Sequence, residues 1–326
     1  MTYDAPAVIT DLIELGGAGL HVVELGRESS RPPAGVVLLG VHRAGDIPVA
    51  GLDAFDILLS CDRDAPGPWV GVGQESLDVV IEALRTRAAA QPAASTVAAQ
   101  VFRMTLDVGF DKALTLESLA YSTLLASGRF RVWRDATPVR SRVDDQPRVL
   151  MFQESDGLHI RLNRSATRNA FDPRMRDELV EALSFALDHP DRPYVILSGE
   201  GPAFSAGGDL DTFGQASDVG EAHLIRTLRS PARLVRELGD RITVCLHGAC
   251  VGAGIEVPAA SARITARPGT HFRLPEVSMG LIPGAGGTAT IARRIGRQRA
   301  CYMALLGDTI DLETAMAWGL VDEVIA

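Results

Sequence analysis

The chain of 326 residues is long enough for one large or two modest domains around a real buried core. Its formal net charge of −9 speaks against a nucleic acid or an anionic membrane surface as main partner, since either needs a basic face, and an anionic ligand must therefore meet a local cluster of arginines. Cys61, Cys245, Cys250 and Cys301 lie in apolar surroundings without CxxC spacing and read as reduced small hydrophobes of a cytoplasmic protein with no metal site, while no signal peptide opens the chain and no apolar run reaches the roughly 18 residues of a membrane span.

Residues 1–75 read as a small strand-rich region of unknown role, with short strands at 20–25, 35–41 and 55–60 between Pro-, Gly- and Asp-rich links. His21 and His42 stand alone there and carry no chemistry. Residues 76–134 have helical periodicity instead. Leu77, Val80, Ile81 and Leu84 form one apolar stripe, a helix must end at Gln91-Pro92, and Leu114, Leu116, Leu119, Leu124 and Leu125 form a second stripe on a helix with Thr115 near its start. A polar linker with two prolines follows at 135–148.

From Val149 to the end the pattern is that of an α/β core. Strands at 149–154 and 158–162 flank Asp156-Gly157 and predict a hairpin. A helix is predicted from about Pro173 to Asp188, with Met175, Leu179, Leu183 and Leu187 at helical spacing, and buried strands follow at 194–198, 242–246 and 262–265. Strand, helix, strand with short links signals right-handed βαβ units with glycine loops at the strand ends. Two of those loops carry the interest. Gly207-Gly208 permits a tight turn whose amide can face a ligand oxygen, with Asp209 placed to hold the turn. The segment 244–288 sets Glu256 and Glu276 beside glycine-rich turns, Glu256 on a helix that starts just after Gly252 and Gly254. Taken singly, each glycine is an ordinary turn and each glutamate an acceptor for backbone amides; two carboxylates with exposed amides together suit acid/base chemistry next to a developing oxyanion.

Three blocks, AFSAGGDL at 203–210, HGACVGAGIEV at 247–257 and FRLPEVSMGLIPGAGGT at 272–288, stand with NRSATRNAF at 163–171 and a closing GDTIDLETAMAWGLVDEVI. In these blocks the chain resembles the crotonase (enoyl-CoA hydratase/isomerase) superfamily from about residue 150 to its end. The resemblance implies a crotonase-like ββα spiral core acting on an acyl-CoA thioester, with coenzyme A part of the substrate and no separate cofactor. It implies that the backbone N–H groups of Gly208 and Ala253 form the oxyanion hole, although the family commonly has glycine where Ala253 stands. It makes Glu256 and Glu276 the catalytic pair and Ala206, Asp209 and Gly252 part of the substrate site. Arg164 and Arg168 fall on the loop beside the CoA nucleotide, with Arg168 the first choice for phosphate contact, whereas the run Arg293, Arg294, Arg297 and Arg299 is expected on a solvated face.

Helices like those of 76–134 follow the core in the family, where they cover the active site and help build trimers; here they precede it. That order implies a circularly permuted crotonase or an eroded second copy, in a homotrimer or dimer of trimers. The family's late Glu-Gly…Ala-Phe signature is replaced by SGRFRVWRDA. The expected reaction is hydration of an enoyl-CoA, or the reverse dehydration. One alternative is a 3,2-enoyl-CoA isomerase in which Glu276 alone shuttles the proton, and another is a non-catalytic CoA-binding subunit. The acyl group is left open, because loops such as 212–221 line its pocket.

Overall fold

The computed structural model describes residues 19–25, 36–140, 145–216 and 218–325, so parts of the expected N-terminal region and of the 135–148 linker lie outside the described residues. Apolar runs bounded by turn residues form β1 (Leu20–Glu24), β2 (Val37–His42), β3 (Ile57–Ser60) and β4 (Val70–Gly71), which pair in chain order and all parallel. The β3 residues ILLS are buried throughout, as a parallel strand covered on both faces requires.

Four helices follow: α1 (Leu77–Ala90), α2 (Pro92–Thr105), α3 (Phe110–Leu125) and α4 (Gly128–Ala136). Pro92 sits at the start of α2, where its missing N–H costs nothing. Helix α1 buries Leu77, Ile81 and Leu84 as its periodicity requires. Helix α3 departs from expectation: it starts at Phe110, five positions before Thr115, and Leu119 is 51% exposed, while Glu117 shares the buried face with Leu114 and Leu124.

The core opens with β5 (Val149–Glu154) and β6 (Gly157–Leu162), an antiparallel hairpin closed by Ser155-Asp156. Helix α5 (Pro173–Asp188) is capped by Asp172, whose side chain accepts from the Met175 amide at 2.7 Å, and it buries Met175, Leu179 and Leu183 against the sheet. Next come β7 (Val195–Gly199), α6 (Val219–Leu228), α7 (Pro231–Leu238), β8 (Ile242–Leu246), β9 (Ala249–Val251) and the single turn α8 (Ala253–Glu256). The chain closes with β10 (Arg263–Ala266), β11 (His271–Arg273), α9 (Gly287–Ile295), α10 (Arg297–Leu306), β12 (Ile310–Asp311), α11 (Leu312–Trp318) and β13 (Glu323–Val324).

The large sheet has the order β13-β10-β8-β7-β6-β5, and a small one has the order β12-β11-β9. Each turn of the chain lays a strand in the large sheet and then a rung beside the small one: β8 leads to β9 and β10 to β11. Single bridges Ser205–Cys250 and Phe171–Gly208 continue the small sheet backwards. The Gly208 loop thus ends up next to the residues that follow β9.

The N-terminal part packs directly on this core. One apolar cluster runs from Leu39, Phe102 and Leu124 to Ile255, Phe272 and Leu305. The arginine run of α9 and α10, expected in solvent, is instead part of the seam. Arg299 is buried and donates to the Trp69 carbonyl at 2.9 Å, Arg297 to the Phe55 carbonyl at 3.0 Å, and Arg293 to the Thr105 and Val108 carbonyls at 3.0 and 2.9 Å. Only Arg294 turns to an acid, Asp322 at 3.2 Å. The cause is the cover itself: the N-terminal strands and helices laid over α9 and α10 bring backbone carbonyls to Arg293, Arg297 and Arg299. No helix among the described residues is long and apolar enough to cross a membrane.

Candidate active site

Gly252 begins α8 at φ 49 and ψ −123, and a Cβ built on it would overlap Oε1 of Glu276. Glycine is therefore required twice over, for its backbone angles and for the close approach of a carboxylate. Glu256, at the end of that turn, is 2% exposed, and its Oε2 accepts from the amides of Ala285 at 2.7 Å and Gly287 at 2.9 Å. Burial pushes its pKa up to about 7 against the pull of those amides. Glu276 follows Pro275 at the head of a 3-10 turn. Its Oε2 is buried without a hydrogen-bond partner, and burial together with the charge of Glu256 raises its pKa well above the usual carboxylate range.

A third carboxylate shares this place. Glu117, from α3, accepts from the Gly286 amide at 2.7 Å on Oε1, and from the Thr288 amide at 2.8 Å and hydroxyl at 2.6 Å on Oε2. Successive amides of one turn therefore point alternately to two acids: Ala285 and Gly287 to Glu256, Gly286 and Thr288 to Glu117. Burial first, then the charge of Glu256, pushes the Glu117 pKa up to about 8. Sequence reasoning passed over Glu117. The available signal was an acid three residues after Leu114 on an apolar face, where a charge is costly unless it is met.

Gly208, Ala253, Glu256, Glu276 and Glu117 line a single cavity of about 600 Å³. Among the described residues, neither the Gly208 nor the Ala253 amide donates to a protein acceptor. The Gly208 turn is held from behind. Asp209 accepts from its own loop at the Asp211 amide at 3.1 Å and forms an ion pair with buried Arg164 at 2.6 Å. Phe213 lies over Gly208 and meets Trp133 of α4 at a ring separation of 6.3 Å, so the helices that precede the core help to roof the cavity.

The remaining expected residues are placed differently. Ala206 and Asp209 support the Gly208 loop without lining the cavity, and the Ala206 amide donates to the Arg168 carbonyl at 2.8 Å. Arg164 is turned inward onto Asp209 and the Ala170 carbonyl at 3.0 Å, which removes it from any solvent-facing phosphate role. Arg168, at φ 53, is exposed beside the same loop and outside the cavity wall. Chemically, the site offers two free amides for a developing oxyanion, one anchored carboxyl and one carboxyl with an uncommitted oxygen, both deeply buried.

The sequence profile of the Enoyl-CoA hydratase/isomerase family matches residues 154–326. The chain is 30% identical over 184 residues to the mevalonyl-coenzyme A hydratase SIDH of Beauveria bassiana, covering 54% of this chain and 66% of that protein. It is 31% identical over 181 residues to the 2,3-dehydroadipyl-CoA hydratase of Escherichia coli, covering 54% of this chain and 68% of that one. Among solved structures, an enoyl-CoA hydratase from Thermoplasma volcanium aligns with TM-score 0.51 at 30% identity, over 55% of this chain and 72% of its own. One from Geobacillus kaustophilus aligns with TM-score 0.51 at 26% identity, over 55% and 69%. The match spans about two thirds of each curated relative and leaves out the N-terminal sheet and helices of this chain. With the spiral core and the match to its profile agreeing over more than half of its length, the chain belongs to the enoyl-CoA hydratase/isomerase family.

Proposed function

We propose that the protein hydrates the double bond of an enoyl-CoA thioester, or dehydrates the corresponding 3-hydroxyacyl-CoA. The observation that carries this reading is the pair of buried carboxyls, Glu256 and Glu276, facing the same cavity as two uncommitted amides. The Gly208 and Ala253 amides take the thioester oxygen and stabilise the enolate that forms as water adds. Glu276, whose Oε2 is held by no partner, is the acid that delivers a proton to C2; Glu256, held by the Ala285 and Gly287 amides, is the base that takes a proton from the water attacking C3. Water adds across the bond, and the two carboxyls exchange protonation states to complete the cycle. The hydratase names of the two curated relatives support the reaction type. Arg168, exposed and outside the cavity, meets the CoA 3′-phosphate in this reading, and its replacement by alanine is expected to weaken CoA binding by less than about fivefold because solvent screens it. The acting unit is proposed to be a homotrimer or a dimer of trimers.

A second reading is favoured by one observation. Oε2 of Glu256 is committed to two amides, whereas Oε2 of Glu276 has no partner, so Glu276 alone is free to carry a proton from C2 to C4, as a 3,2-enoyl-CoA isomerase requires. Mass spectrometry of a panel of enoyl- and 3-hydroxyacyl-CoA thioesters separates the two. Gain or loss of one water supports hydration, and an unchanged mass with a shifted double bond supports isomerisation. An unchanged panel with retained CoA binding sinks both and leaves a non-catalytic subunit.

A further inference from the structure

Arg226, on α6, lines the cavity and is half-buried there, yet every partner it has is neutral. Its Nε donates to Ser118 Oγ at 3.1 Å, and its Nη2 donates to the Ser118 carbonyl at 3.3 Å and to Ser122 Oγ. Its guanidinium carbon stands 4.8 Å from the centre of the Tyr121 ring. No carboxylate of the described residues lies within ion-pair distance of it, and Nη1 takes none of these bonds. Glu117, one residue before Ser118, turns both of its oxygens to the 286–288 backbone instead.

Arg229, Arg176 and Arg233 are treated otherwise, whereas Arg134, on the same cavity lining, also donates only to carbonyls among the described residues, those of Leu210, Phe213 and Thr137. Arg229 has Asp177 at 3.5 Å and Glu181 at 3.9 Å, Arg176 has Asp177 at 2.9 Å, and Arg233 has Asp111 at 3.2 Å. A cation withdrawn from bulk water without a counter-charge is costly. Two hydroxyls, a carbonyl and a ring fix the direction of the guanidinium but give it no ion pair, and Glu117 acts on it only without direct contact.

Its place relative to the reacting end is set by contacts. The turn that donates to Glu256 includes Ala285, and a Cβ on the preceding Gly284 would overlap the Tyr121 ring, on which Arg226 rests. Leu114, Leu125, Ala222 and Ile225 give the same cavity an apolar stretch of wall. We propose that Arg226 is the receptor for a carboxylate at the far end of the acyl chain, so that the substrates are CoA thioesters of dicarboxylic acids. An acyl chain whose thioester oxygen meets Gly208 and Ala253 passes the glutamates, lays its methylenes on the apolar wall and ends at the guanidinium. This rests on the thioester reading above but not on which reaction the glutamates perform.

The test is therefore a binding measurement on saturated thioesters, which cannot be hydrated. Adipoyl-CoA and hexanoyl-CoA, with glutaryl/pentanoyl and suberyl/octanoyl pairs as length controls, are titrated calorimetrically into the wild-type protein and into Arg226→Gln, which keeps a donor for the serines. The expected result is a preference of about tenfold or more for the dicarboxylic member of at least one pair. That preference falls to about unity in Arg226→Gln while affinity for the neutral thioester stays within about twofold, which also shows that the variant is folded. Arg226→Lys restores part of the preference. No preference in the wild type, or a preference untouched by Arg226→Gln, overturns the proposal. Equal losses for both thioesters and for free CoA overturn it too, because the guanidinium then reads the nucleotide. If the preference holds while no enoyl- or 3-hydroxyacyl-CoA of the mass-spectrometric panel is turned over, the hydratase reading fails and the carboxylate receptor stands.

Discussion

At Glu117, Glu256 and Glu276 burial raises the carboxyl pKa, so folding is linked to proton uptake. The folded state binds more protons than the unfolded chain from the ordinary carboxylate range up to the raised values. Their contribution to stability is therefore full below the ordinary carboxylate range, falls as pH rises from there, and is gone above about 7 for Glu256 and about 8 for Glu117. Thermal unfolding followed from about pH 6 to about pH 9 should show a falling Tm, with each titrating group able to add up to roughly 1.4 kcal/mol per pH unit. In Glu117→Gln the fall should be shallower; identical slopes would mean that its three donors keep Glu117 ionised throughout. Glu276→Gln should lower kcat by roughly a hundredfold or more with little change in KM, because the amide keeps the shape and loses the proton. Glu256→Gln divides the readings: a comparable loss fits the hydratase, and retention of most turnover fits the isomerase.

Among the elements, α8 is the one whose geometry most directly sets the site. Its single turn starts from angles that suit glycine, with Glu276 packed where a side chain would be. Gly252→Ala should destabilise the protein by roughly 1–3 kcal/mol and displace the Glu276 carboxyl, visible as a lower urea midpoint together with lost turnover. A stable, fully active variant would count against the requirement. Local patterns of this kind were readable in advance. Pro173–Asp188 carries its stripe of Met175, Leu179 and Leu183, and Ile242–Leu246 is a plain apolar run between polar turns. The family resemblance of the blocks that hold Gly208, Ala253, Glu256 and Glu276 gathers four residues that do line one cavity. What escaped was non-local. Periodicity marks the face on which Glu117 lies, but not that its partners are 169 and 171 residues further along. Nor does a row of arginines disclose that another part of the chain covers it. Arg164 and Arg168 differ by four positions and by everything else: one is locked to Asp209, the other faces solvent.

For the whole molecule, the decisive feature is a single apolar cluster shared by the N-terminal sheet, helices α1 to α4 and the core. Removing residues 1–134 should leave an aggregating or unfolded remainder, because the cover of α9, α10 and the cavity goes with them. A soluble fragment beginning at Val149 with a cooperative unfolding transition would refute this. The four parallel strands β1-β2-β3-β4 follow chain order, as do β6, β7, β8 and β10 in the core. The bond between Glu117 and the 286–288 turn also has a meaning during biosynthesis. The helix that carries the acid leaves the ribosome well before the turn that donates to it has been made, and until then the carboxyl has no donors to let it be buried. The early half of the chain must wait, unfinished, for the late half. Ribosome-bound nascent chains halted before residue 285 should remain open to protease along α3, and those extended past the 285–288 turn and clear of the exit tunnel should not. Such long-range closure makes for slow folding and a standing demand on chaperones.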